Sequence, residues 1–193
     1  MKHSKLALTA AFLAVSGSSV LALGIRDGSF EKPKVASGTQ QIYAPGSSFG
    51  KWKTAAGGNV GVIGPDYTVD GLSLIAKRGA QMVNLCASGN ADTGAIYQYV
   101  KLTEGAHYKL WFDVGTIVDH AHGYGPDSAI TVSVDNQEET HDVIGTGEEG
   151  VMRWNRTAIS FYAGPDDTEI MFRGADGDAF CGLDGVSLVL DPP

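Results

Sequence analysis

Positive charge is scarce in this chain: 14 Lys and Arg stand against 22 Asp and Glu, a formal net charge of −8. A nucleic-acid binder should show a basic patch and a high pI, so that class is excluded. Charge of either sign is also low, at 19%, where ~25% is usual. Cysteine is nearly absent, and two residues are too few for a small scaffold stapled by several bridges. Beyond residue 22 no apolar run approaches the ~18 residues of a membrane-spanning helix. No stretch of ten or more residues carries a helical stripe with caps. Glycine, by contrast, is abundant: 26 of 193 residues, nearly twice the average share of ~7%. A hydrophobic content of 43% supplies a core and excludes global disorder.

Residues 1–22 have the form of an export signal. Lys2 and Lys5 give a positive start, residues 6–15 an uncharged and mostly apolar run, and Val20 and Ala22 a pattern suited to cleavage near Ala22. Cleavage would remove two Lys and no acid, leaving −10 on the remainder. The expectation is a signal peptide at 1–22 and a single β-sandwich domain at 23–193. The product would be secreted (extracellular or periplasmic), monomeric and not inserted in a membrane. In an oxidising compartment Cys86 and Cys181 have one intramolecular pairing open to them, so a disulfide is expected. The alternative is two buried thiols acting as small hydrophobes.

The dominant period is two. Tyr108, Leu110, Phe112 and Val114 alternate with Lys109, Trp111 and Asp113. Ile130, Val132 and Val134 do the same, as do Ile159 with Phe161, Ile170 with Phe172, and Val186, Leu188 and Leu190. Turn clusters separate these runs at 104–105, 123–126, 145–150, 164–167 and 174–177. Many short, half-buried strands at regular spacing predict an all-β antiparallel sandwich or barrel.

Several of these segments resemble one family. Asp27-Gly28-Ser29-Phe30-Glu31-Lys32-Pro33 is similar to the N-G-S-F-E-x-P opening of the domain-of-unknown-function-642 and choice-of-anchor C proteins. Gly50-Lys51-Trp52 resembles their "GW" strand, Gly94-Ala95-Ile96-Tyr97-Gln98 their G-A-I-x-Q, and residues 108–114 their Y-x-L-x-F-D-L. Trp154 with Phe161-Tyr162-Ala163 resembles a W…F-x-A stretch, and Cys181-Gly182-Leu183-Asp184-Gly185-Val186 the close of the family pattern. The resemblance implies a galactose-binding-domain-like jelly roll, the fold of many carbohydrate-binding modules, and plant members are cell-wall proteins. It also implies a structural calcium ion. In related carbohydrate-binding sandwiches a Glu of the opening motif and an Asp of the closing motif share the ion, and Glu31 and Asp184 occupy those places.

Three functional readings follow. The favoured one is a non-catalytic carbohydrate-binding or cell-wall-associated module. Tyr97 and Tyr99 alternate with Ile96, Gln98 and Val100, and Trp111 alternates with Leu110 and Phe112. If the two strands are hairpin partners, Tyr97, Tyr99 and Trp111 form one exposed platform for a polysaccharide or cell-wall glycan, with Lys109 and Asp113 as polar companions. A second reading is a structural or adhesive matrix protein without a sugar site. The third is a metal-dependent enzyme: His120 and His122 at i and i+2 would project from one face of a strand, with Asp119, Asp127 or His141 as third ligand. The segment after this pair lacks the Glu of a cupin, and no G-x-S-x-G elbow is present. No catalytic residue is therefore assigned.

Overall fold

The computed structural model describes residues 24–87, 93–122, 127–135, 137–144, 149–175 and 180–191. The expected export signal lies outside them. Strands are numbered here in chain order. Sheet A runs β1 (Gln40–Tyr43), β4 (Val60–Ile63), β7 (Met82–Asn84), β14 (Gly182–Leu190), β9 (His107–Thr116) and β12 (Arg153–Tyr162). Sheet B runs β11 (Gln137–Ile144), β10 (Asp127–Val134), β13 (Thr168–Gly174), β8 (Ala95–Val100), β3 (Trp52–Thr54) and β2 (Ser48–Phe49). A small hairpin, β5 (Thr68–Val69) with β6 (Leu72–Ser73), stands apart. Every pairing is antiparallel, and the two sheets make the expected jelly-roll sandwich.

Alternation places one side of each strand in the core. Tyr108, Leu110 and Phe112 of β9 meet Ile96 and Val100 of β8, Ile130 and Val132 of β10, and Ile170 and Phe172 of β13 between the sheets. Phe172 of β13 bridges the layers to Phe112 of β9 at 5.1 Å, and an aromatic row continues from Phe172 to Trp52 at 6.1 Å and from Trp52 to Phe30 at 5.5 Å. The two edge-to-face pairs, Phe172 with Phe112 and with Trp52, each add ~0.5–1.5 kcal/mol beyond area burial.

The first and last motifs meet. The Val186 amide donates to the Gly28 carbonyl at 2.8 Å. A Cβ on Gly28 would lie 1.9 Å from the Val186 carbonyl oxygen, so only glycine fits there. Beside it, Trp52 Nε1 donates to the Asp27 carbonyl at 3.0 Å, and the Glu31 amide donates to Asp27 Oδ1 at 2.9 Å. The opening motif is thus a turn tied to the core tryptophan. Cys86 and Cys181 form a disulfide, with Cα atoms 5.3 Å apart, at the ends of the paired strands β7 and β14.

Candidate functional site

Tyr97 and Tyr99 project outward from β8 as expected, with Ile96, Gln98 and Val100 buried between them. Their rings meet edge to face at 5.7 Å, and Tyr99 is 57% exposed. Lys53 and Met171 flank Tyr97 across the sheet, and Glu169 flanks Tyr99. The Tyr99 hydroxyl donates to the Glu169 carboxylate, and that negatively charged acceptor raises the phenol pKa above its ordinary value.

Trp111 is elsewhere. β8 and β9 are not hairpin partners: β8 lies between β13 and β3 in sheet B, and β9 between β14 and β12 in sheet A. The link between them crosses from one sheet to the other, held by the Gly105 amide on the Ala163 carbonyl and by the Thr103 amide on the Tyr108 hydroxyl. The expected three-ring platform is therefore two separate outer faces, with Trp111 on the side opposite Tyr97 and Tyr99. Alternation shows which side of a strand faces the core, and it leaves open which sheet the strand joins.

The sheet A face is occupied by the protein's own side chains. Across the sheet Trp111 has Ala158 and Ser187, with Lys109 Nζ 4.8 Å and Arg156 Cζ 5.5 Å from its ring. Asp113, expected as a polar companion for a sugar, is fully buried. Its Oδ2 accepts from Arg156 at 2.8 Å and from Arg78 at 3.3 Å, so it cannot reach a ligand. Its register partner is Asp184, also fully buried, which accepts from the Arg78 and Gly185 amides at 2.6 Å each. Burial, above all, raises the Asp184 carboxyl to about 7, and the Asp113 charge beside it acts in the same direction.

The calcium expectation can be tested on the donor set. Glu31 Oε1 accepts from the Ala80 and Gln81 amides at 2.8 and 3.0 Å, while Asp184 takes the Arg78 amide of the same turn. Calcium wants six to eight oxygens around it. What converges on these two carboxylates is N–H groups, with the Arg78 guanidinium close by. As placed, Glu31 and Asp184 clamp the 78–81 turn and do not fit a calcium cage. The histidine expectation also changes. Residues 120–122 form a 3₁₀ turn, in which i and i+2 do not share a face as they would on a strand. The His122 and Asp127 side chains lie outside the described ones. His120 is exposed with Glu149 4.0 Å away, Asp119 Oδ1 accepts the Ala121 amide, and His141 packs on Phe112 and bonds Thr157.

Sequence reasoning missed a groove beside Tyr99. About 590 Å³ in volume, it is lined by Arg26, Lys51, Lys53, Lys101, Gln98 and Asp167 among others. The pattern Lys51-Trp52-Lys53 held the signal: with Trp52 inward, both lysines must face out.

The family model described as "Protein of unknown function (DUF642)" matches residues 24–188. The chain belongs to the DUF642 family. Its opening and closing family motifs are the segments that meet through Gly28 and Val186. No curated protein matches this DUF642 chain. Among solved structures, an apo-form cyclase from Fischerella sp. is similar at 16% identity and TM-score 0.56, covering 90% of this chain and 98% of that one. A Stig cyclase from Fischerella sp. TAU is similar at 14% and 0.55, covering 90% and 99%. The CBM22-1 xylan-binding domain from Paenibacillus barcinonensis Xyn10C is similar at 12% and 0.50, covering 82% and 99%. These likenesses give the DUF642 chain the fold of a carbohydrate-binding module, a fold that also serves cyclases.

Proposed function

We propose that this protein is an exported, non-catalytic carbohydrate-binding module that takes its glycan on the outer face of sheet B. The observation that carries the reading is the edge-to-face pair of exposed Tyr99 and half-buried Tyr97, on a sheet surface where neither ring has a core to fill. Flat rings of this kind present apolar faces on which a sugar ring stacks, and an exposed aromatic patch is the usual mark of a binding surface. Gln98 cannot serve as a hydroxyl partner, since its amide is spent on Arg26, but Glu169, Lys53 and Asp167 stand at the rim.

Export is supported by the signal-like residues 1–22 and by the Cys86–Cys181 disulfide, which belongs in an oxidising compartment. A binding role is supported over a catalytic one by the state of the paired carboxylates: Asp113 and Asp184 are sealed under Arg78 and Arg156, where no substrate reaches them. The xylan-binding relative shares the fold, and a fold alone names no ligand. Retention on a panel of insoluble and soluble polysaccharides tests the reading. Retention by at least one of them, lost in Tyr99→Ala and kept in Trp111→Ala, is the expected result. No retention on any, or full retention of Tyr99→Ala, refutes it.

A further inference from the structure

We infer that the glycan taken beside Tyr99 is an acidic one, a sugar chain bearing carboxylate or sulfate groups. This rests on the sheet B reading above and adds the chemistry of the ligand.

Four of the chain's 14 basic residues, Arg26, Lys51, Lys53 and Lys101, line the one groove that Tyr99 enters. Asp167 is the acidic residue of that lining. All four bases are exposed, and among the described residues none of them forms an ion pair. Arg78 and Arg156 show the other use of a base here, both held by Asp113. In a chain with a net charge of −8, acids are plentiful, so bases left unpaired and gathered in one concavity are a cost. Like charges in a groove repel one another, and low-dielectric walls focus their field outward. An anionic ligand relieves both.

The groove is also anchored. The Arg26 amide donates to Gln98 Oε1 at 3.1 Å, and Gln98 Nε2 donates back to the Arg26 carbonyl at 3.3 Å. Gln98 is buried on β8 between Tyr97 and Tyr99, so the strand that displays the rings also fixes the backbone of a groove cation. Ring face and positive charge side by side match a sugar bearing an acidic substituent: the ring stacks, and the anion reaches Lys51, Lys53 or Lys101. Single-stranded nucleic acid would also stack, but it follows a long basic track. Here the bases of the lining fill one short groove, on a chain whose net charge is −8.

The test uses the full chain and measures binding to polygalacturonate, to the same polymer fully methyl-esterified, to dextran sulfate and dextran, and to single-stranded DNA. The expected result is binding to polygalacturonate or dextran sulfate at least tenfold tighter than to its uncharged counterpart; the arm that binds names the anion. This binding should weaken steeply between 50 and 300 mM salt, as about 10 Å of screening at 0.1 M implies. Lys51→Gln/Lys53→Gln should weaken it about tenfold or more, with the melting temperature unchanged. Equal binding of charged and uncharged forms overturns the acidic-ligand inference and leaves the carbohydrate-binding reading standing. DNA binding as tight as the polysaccharide also overturns it, since the groove would then read any polyanion. Binding to no polysaccharide in this set or in the neutral panel removes both.

Discussion

The two outer faces of this sandwich start from the same sequence pattern and end with opposite uses. On sheet A, Trp111, Asp113, Arg156 and Asp184 satisfy one another: cations lie over the indole, guanidinium groups hold one carboxylate, and backbone amides hold the other. On sheet B, two tyrosines and a ring of lysines stand with few partners of their own. The same residue types that suggest a ligand site are structural when their charges close on each other. Only where pairing is left incomplete does a surface retain free energy to offer a ligand.

The disulfide offers the sharpest way to break the sheet A half of this comparison. It closes a separation of 95 residues, for which the chain-entropy account gives about 4–5 kcal/mol. Reduction, or Cys86→Ser with Cys181→Ser, should lower stability by an amount of that order in denaturant titration; an unchanged midpoint would show that the clamp around Asp184 holds the strands unaided.

Asp184 comes next. Its carboxyl, raised to about 7 by burial, binds its proton more tightly folded than unfolded. The resulting stabilisation is complete below the unfolded carboxylate pKa of about 4 and is lost as pH rises through about 7, on the order of 1–4 kcal/mol. Unfolding free energy should therefore fall between about pH 4 and pH 7 and level off above, and Asp184→Asn should flatten that slope. A slope of the opposite sign would mean that the amide donors outweigh burial.

Smaller effects separate the faces directly. Tyr99→Ala should weaken glycan binding by about 1–3 kcal/mol while leaving the fold within ~0.5 kcal/mol. Trp111→Ala should do the reverse, costing about 1–2 kcal/mol of stability through two lost cation–π contacts and leaving binding intact. Chelation should have the least effect of all: with Glu31 and Asp184 accepting amides of the 78–81 turn, the melting temperature should not move on adding a chelator or restoring calcium.

Much of the fold was legible because its signals are local. Alternation around Leu110, Ile130 and Ile170 predicts half-buried strands, and all three residues are core. The family motifs added the jelly roll, and the cysteine count added the bridge. What was not legible lies at long separation. Nothing near residue 113 announces that Arg78, 35 positions away, will cover it, nor that the Arg78 amide will find Asp184 across 106 positions. Strand pairing failed for the same reason. A short link between two alternating segments reads as a hairpin, but residues 101–106 also suffice to cross the ~10 Å between packed sheets. The groove was partly legible, through Lys51 and Lys53, but Arg26 and Lys101 join it only by folding.

The strands at one side of the sandwich settle a different matter, that of self-association. An open sheet edge invites pairing with another chain. Here β11 and β12, the last strands of the two sheets, lie against each other: the Thr157 hydroxyl bonds His141 Nδ1 at 3.0 Å, and Gln137 Nε2 donates to the Ser160 carbonyl at 3.4 Å. Each of these long edges is thus shielded by the other. Among the described residues the other edges are β1, four residues long, and β2, β5 and β6, two residues each, and ladders that short give a foreign strand little to grip. Where the sheets end therefore leaves another chain only short edges to pair with.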